Sequence, residues 1–190
     1  MIRISSGRLK GRRIPTLKGL DIRPTLSKTR DAIFDTLSSR YALSEFAAYD
    51  LFAGSGAMGF EAYSRGVERV VFVDSSGRAV SLLRKSIAQL SIPHAFQTFN
   101  EDAVQWMRSR NWRGSRGLFL IDPPYRSDLA ARVVDAAERQ SQNLEGSLLV
   151  IETERDHDIA LPSRWKLFRQ RRLGKSRLDF IEIVRAISRT

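Results

Sequence analysis

The chain has 190 residues, 42% of them hydrophobic, enough for one domain with a proper core. It has no cysteine and two histidines, which excludes disulfides, thiolate zinc sites and a cysteine nucleophile, and leaves too few ligands for a histidine metal cage. Its 32 Lys and Arg against 21 Asp and Glu give a formal charge of +11, with nine basic and one acidic residue in 1–30, ten and four in 155–190, and thirteen and sixteen in 31–154.

Basic ends around a mildly acidic middle suit a catalytic body that offers polyphosphate-binding surfaces from both ends, although charge on exposed loops also serves solubility. No apolar run approaches the length of a membrane span and the N-terminus "MIRISSGRLKGRR" has no hydrophobic signal core, so a soluble cytoplasmic protein is expected.

In chain order, residues 1–22 read as a basic extended arm, a β-hairpin-like appendage rather than a domain: Ile2 and Ile4 alternate with polar residues, and Gly7, Gly11 and Pro15 punctuate the rest. Residues 23–190 read as one domain. Pro24 opens a helix, with Thr25 or Ser27 as cap and Ile33, Phe34 and Leu37 on one face, ending near Arg40. Strands are predicted at 47–53, 69–74, 94–100, 117–122 and 146–152, alternating with helices at 57–65, 78–90, 103–110 and 129–140. Largely apolar strands alternating with helices predict an α/β, Rossmann-like fold: a mostly parallel sheet covered on both faces. "WKLFRQRRLG" and "SRLDFIEIVRA" flank Gly174-Lys175 without a helical pattern and read as a C-terminal antiparallel edge pair.

The first strand leads into "DLFAGSGAMGFEA", where Gly54, Gly56 and Gly59 form G-x-G-x-x-G and Asp74 ends the next strand. Glycines there let the backbone approach an adenosine cofactor, and a carboxylate on the next strand accepts from ribose hydroxyls. Dehydrogenases share the pattern. Asp50, within the strand, instead resembles the opening motif of class I S-adenosylmethionine (SAM) methyltransferases, and an acid there suits a cationic sulfonium. Asp102, in "NEDA", stands where such enzymes bind the adenine amino group; an ordinary helix N-terminal acid reads the same way.

"LFLIDPPYRSD" carries the chemistry. The prolines stiffen the loop and withhold two donors, leaving their carbonyls free to accept. Asp122 and the Pro123 carbonyl can then accept from the protons of an amino group whose lone pair is otherwise delocalised, with Tyr125 stacked on the base. This is the [DNS]-P-P-[YFW] pattern of methyltransferases acting on exocyclic amino nitrogens. A base inside a helix cannot enter such a pocket, so the target is unpaired or flipped out.

With "IRISSGRLKGRRI", "RPTLSKTRDAIFDTL", "DLFAGSGAMGFEAYSRG" and "FLIDPPY" together, the chain resembles, nearly end to end, the bacterial small-subunit ribosomal RNA guanine-N2 methyltransferase family (RsmD). The resemblance implies SAM as cofactor with S-adenosylhomocysteine as product, no metal, and guanine-966 N2 of 16S rRNA as target. It implies a cytoplasmic monomer working on an assembling or assembled small subunit, away from membranes. By the same likeness Asp122, Pro123, Pro124 and Tyr125 are catalytic, and Asp50, Phe52, Gly54, Ser55, Gly56, Asp74 and Asp102 bind the cofactor. Arg8, Lys10, Arg12, Arg13, Arg23, Thr25 and Arg30 would face RNA. Asp31 stands where glutamate is more usual in the family, and Phe60, Tyr63 and Val67 replace commoner Leu, Leu and Ala on a packing surface.

Rival readings are an amino methyltransferase of DNA (adenine N6 or cytosine N4), for which the chain has no obvious room for a target-recognition region, and a protein-glutamine methyltransferase, whose motif favours asparagine at position 122. Further afield stand an NAD-dependent oxidoreductase and a non-catalytic RNA-binding module. His94 and His157 read as surface residues, Trp106, Trp112 and Trp165 as core or edge packing, and Arg169, Arg171, Arg172, Lys175 and Arg177 as a basic ridge.

Overall fold

A computed structural model describes residues 1–16, 24–112 and 116–184. Seven strands form one sheet: β3 (Ala47–Leu51), β4 (Arg69–Val73), β5 (Phe96–Phe99), β6 (Gly117–Ile121), β7 (Leu148–Glu154), β8 (Lys166–Leu173) and β9 (Ser176–Glu182), in the order β5-β4-β3-β6-β7-β9-β8. The first five are parallel to their neighbours, as an apolar βα alternation requires, and β9 runs antiparallel between β7 and the outermost strand β8. In the N-terminal arm, β1 (Ile2–Arg3) pairs antiparallel with β2 (Arg13–Ile14), so the hairpin-like arm forms among the described residues. The expected division between residues 22 and 23 lies outside them.

Helices α1 (Pro24–Ser38), α2 (Ala57–Ser64) and α3 (Gly77–Leu90) cover one face, and α4 (Ala103–Ser109) and α5 (Leu129–Arg139) the other. Side-chain alternation divides the core accordingly. Ala48, Leu118, Leu120 and Val150 meet Phe34, Phe60 and Leu83, whereas Leu51, Phe119, Ile121 and Ile151 meet Trp106, Met107 and Val133. Ile2, Ile4 and Ile14 are buried in the first cluster, so the arm is packed into the fold rather than free of it.

The arm is pinned by fully buried Glu61 on α2, which accepts from the Ser5 amide at 3.0 Å, the Ser6 amide at 3.1 Å, the Ser5 hydroxyl at 2.7 Å and Arg65 at 3.0 Å. A buried carboxylate with that many donors is compensated for its lost hydration.

Two predicted strands shift. Pro93 opens a short 3₁₀ turn over Pro93–Ala95, so β5 starts later than expected. Gly146 at φ +75° turns the chain, and the Ser147 hydroxyl accepts from the Gly117 amide, so β7 begins at Leu148 and runs on to Glu154. His94 and His157 are exposed, and the three tryptophans are buried.

Candidate functional site

The chain runs from β3 out to β4 and β5 on one side, then returns to place β6 on the other side of β3. This is a topological switch point, the place where open α/β sheets form their ligand crevice, beyond the carboxyl ends of the strands. The loop after β3 carries the glycines, and the loop after its direct neighbour β6 carries Asp122-Pro123-Pro124-Tyr125. Two motifs seventy residues apart in sequence thus share one crevice.

Each glycine has a separate task. A Cβ on Gly59 would stand 2.3 Å from Phe72 Cε1 and 2.9 Å from Val70 Cγ1, so this glycine lets α2 lie on the sheet. Gly56, at φ +77°, begins α2, and a Cβ there would meet Leu83 at 2.5 Å. Gly54 differs: its φ of +54° is left-handed, but a Cβ there would meet nothing nearer than the Phe52 carbonyl at 4.0 Å. Its open side is a cradle for a ligand that approaches the backbone. Phe52, also left-handed at φ +66°, holds a conformation that costs a bulky residue about 1–3 kcal/mol and starts the loop's departure from β3. Ser55 is buried within the loop.

The acids hold the loop as well as face the crevice. Asp74 accepts from the Gly54 amide at 2.7 Å and the Ser76 amide at 2.8 Å, which leaves lone pairs on both oxygens for a ligand. Asp50 is 3% exposed and accepts from the Gly59 amide at 2.8 Å, capping the first turn of α2 from inside the sheet. Burial holds its carboxyl well above the usual range, opposed by the Gly59 bond and reinforced by the charges of Asp122 and Asp74. Asp102 is exposed and caps α4 through the Gln105 amide at 2.9 Å.

Asp122 directly follows Ile121, which pairs in register with Ile151, and Glu152 follows Ile151. Burial pushes the Asp122 carboxyl up to about 8, and neighbouring Glu152 adds to the rise. Burial also raises Glu152, while a hydrogen bond from Ser176 lowers it. Pro123 is buried, and Tyr125 is 49% exposed with its hydroxyl 3.0 Å from Ser176 Oγ. Glu152 and Ser176 were not singled out from the sequence. The one available signal was register: "LFLID" and "LLVIE" both end in an acid, and adjacent pairing brings the two together.

A row of carboxyl groups, two of them raised by burial, beside an open glycine wall fits a cofactor that carries an adenosine and a positive charge able to favour their ionised forms. Among the described residues, no group of three or more His, Cys, Asp or Glu is arranged to hold a metal ion.

The arginines expected at RNA divide into two groups. Arg30 is 4% exposed; it donates to the Arg3 carbonyl at 2.9 Å and lies 3.7 Å from Glu61. Burial lowers its pKa, with Glu61 opposing the shift. Arg8 donates to the carbonyls of Tyr63 and Val67 at 2.9 and 3.1 Å and stacks over the Tyr63 ring. Both therefore hold the arm against the domain. Lys10, Arg12 and Arg13 are exposed, Arg12 reaching the Gln89 carbonyl at 3.3 Å. Arg23 and the side chain of Thr25 lie outside the described residues.

The C-terminal ridge is similarly mixed. Arg171 donates to the Ala32 carbonyl and Thr36 on α1, and buried Arg177 pairs with Asp179 and Asp158. Arg169, Arg172 and Lys175 stay exposed. Arg169 and Arg171 line a groove of about 500 Å³ between α1 and β8, together with Arg40 and Phe168.

Comparison with known proteins bears on the whole chain. The family described as "Conserved hypothetical protein 95" matches residues 2–182. "Putative rRNA methyltransferase YlbH" of Bacillus subtilis is 31% identical over 85% of this chain and 86% of its own length. "Ribosomal RNA small subunit methyltransferase D" of Haemophilus influenzae is 26% identical over 91% and 89%. Among solved structures, "Putative methyltransferase yhhF" from Escherichia coli superposes with a TM-score of 0.81 at 24% identity, covering 96% of this chain and 98% of that one. An RNA methyltransferase from Salinibacter ruber in complex with S-adenosyl-L-homocysteine superposes at 0.60 with 15% identity, covering 93% and 98%. These likenesses establish the Rossmann-like methyltransferase fold.

Proposed function

The chain belongs to the family described as Conserved hypothetical protein 95, and from that membership we propose that it is a SAM-dependent methyltransferase of small-subunit ribosomal RNA, acting on the exocyclic N2 of a guanine. The observation that carries the reading is the adjacency of β3 and β6, which sets the Asp122-Pro-Pro-Tyr125 loop beside the glycine loop in one crevice. Relatives named as ribosomal RNA small subunit methyltransferases match over nine-tenths of the chain. We further infer guanine-966 as the target, within an assembling or assembled subunit, and a cytoplasmic monomer, from the sequence resemblance alone; the relatives' names carry only the small-subunit ribosomal RNA. No helix among the described residues is long and apolar enough to cross a membrane.

SAM, when bound, supplies an electrophilic methyl on a sulfonium whose leaving group is a neutral thioether. Gly54 would give its adenosine half close backbone approach, Asp74 would accept from the ribose hydroxyls, and Asp102 would address the adenine amino group. Asp50 braces α2, and a bound sulfonium would favour its ionised form. Asp122 and the Pro123 carbonyl accept from the two hydrogens of the guanine amino group, which localises its lone pair toward the methyl carbon, and Tyr125 stacks on the base. Transfer of the methyl from sulfur to nitrogen would require the nitrogen to shed one proton, which the Asp122 carboxylate would accept. Lys10, Arg12 and Arg13 on the arm, with Arg23 and Thr25, would hold the RNA backbone.

Incubation with methyl-labelled SAM and, separately, unmodified small subunits, naked ribosomal RNA, DNA and protein tests the reading. Label in N2-methylguanosine supports it; label only in DNA or protein overturns it.

A further inference from the structure

Tyr125 is half exposed on a loop, yet its hydroxyl has a buried partner. It lies 3.0 Å from Oγ of Ser176, a residue only 5% exposed at the start of β9 and fifty-one positions away in sequence. Ser176 in turn lies diagonally across the β7–β9 ladder from Glu152, a residue 6% exposed. Register makes this possible. Ser176 pairs with Glu154 and Leu178 with Glu152, so Ser176 and Glu152 project on the same face of the β7–β9 ladder.

Either hydroxyl of the Tyr125–Ser176 pair can donate. A serine hydroxyl has one hydrogen, so an ionised Glu152 drawing that hydrogen would leave the phenol as donor. The loop itself is closed locally by the Ser127 hydroxyl on the Pro124 carbonyl at 2.7 Å, with Arg126 in the left-handed region at φ +59°. Tyr125 is thus tied both by its own loop and by a strand on the far side of β7.

We propose that Glu152 and Ser176 are positioning residues of the methyl-transfer site: a buried relay from the Glu152 carboxylate through Ser176 holds the Tyr125 ring at the angle that receives the target base. The inference rests on the stacking role of Tyr125 in the proposed function. An aromatic ring on an exposed loop loses rotamer freedom when a base docks on it, and a tether at its hydroxyl removes that cost beforehand while leaving the ring face open. Specificity for a flat, stackable substrate is therefore built partly into β7 and β9, outside both sequence motifs.

The test uses the full chain with 3-fluorotyrosine at its four tyrosines, the Tyr125 resonance being assigned by its loss in Tyr125→Phe. Ser176→Ala should shift the Tyr125 resonance alone, and Glu152→Ala should reproduce that shift, whereas Glu152→Gln, which keeps an acceptor, should shift it less. In single-turnover methyl transfer to ribosomal RNA, Ser176→Ala and Tyr125→Phe should each lower the rate about fivefold, the worth of one buried hydrogen bond. The double variant should be no slower than either single one, and S-adenosylhomocysteine affinity should stay within about twofold. A Tyr125 resonance unmoved by Ser176→Ala, or two losses that multiply, would overturn the relay. Absence of methyl transfer by the unmodified protein would sink the proposed function instead, and the resonance shifts would still decide the tether.

Discussion

Asp122 and Glu152 occupy equivalent positions at the ends of two adjacent parallel strands, one residue beyond the paired Ile121 and Ile151. Neighbouring carboxylates in partly desolvated surroundings cannot both ionise freely, so each favours the protonated form of the other.

That relationship sets the pH response. With the Asp122 carboxyl raised to about 8 by burial and Glu152, the acceptor form is scarce at low pH. Methyl transfer should therefore rise about tenfold per pH unit from about pH 6 and level off at or below about pH 8, the bound sulfonium pulling the midpoint down. Stability should run the other way. The folded chain holds a proton that the unfolded chain releases near pH 4, so stability falls as pH rises from about 4 to about 8. Asp122→Asn should flatten that decline in thermal melts at a series of pH values, and a decline of unchanged slope would contradict the assignment.

The glycines should separate by readout. Gly59→Ala forces a methyl into Phe72 and Val70 and should cost about 2–3 kcal/mol in denaturant unfolding. Gly54→Ala meets open space, so its cost should be limited to about 1 kcal/mol of backbone strain, with a disproportionate loss of affinity for S-adenosylhomocysteine by calorimetry.

Glu61 is the acid that holds the arm. Its replacement by alanine strands Arg30 and frees the amides of Ser5 and Ser6. A loss of about 3–5 kcal/mol is expected, and limited proteolysis should then cut the first sixteen residues faster than the domain. An arm as resistant as in the unaltered chain would contradict this role.

Arg8, held by two carbonyls and the Tyr63 ring, should behave differently from the other basic residues of the arm. Lys10→Ala, Arg12→Ala and Arg13→Ala should each weaken binding across sequences and lower the salt slope by about one, without changing the melting temperature. Arg8→Ala should lower the melting temperature instead, because its guanidinium caps the carbonyls of Tyr63 and Val67. A melting temperature unmoved by Arg8→Ala would remove that distinction.

The βα alternation, the C-terminal pair and both loops were legible because each leaves a local signature: apolar runs between helices, glycines at fixed offsets, two prolines behind an acid. What escaped is non-local. Glu152 and Ser176 carry no motif: the β6–β7 pairing brings Glu152 to Asp122, and the insertion of β9 beside β7 brings Ser176 to Tyr125. Arg8 and Arg30, expected at RNA, also hold carbonyls of the fold and, for Arg30, Glu61, contacts that a basic arm does not announce in its sequence. Asp50, expected to face the cofactor, also braces Gly59, since a helix N-terminus and a sulfonium attract the same carboxylate.

The most direct test of the central claim is Asp122→Ala measured twice, for SAM affinity and for single-turnover methyl transfer to guanine N2 of unmodified small-subunit RNA. The account predicts affinity within about threefold of the unaltered chain and a rate reduced at least about a hundredfold. A rate near normal would show that the chemistry lies elsewhere in the crevice.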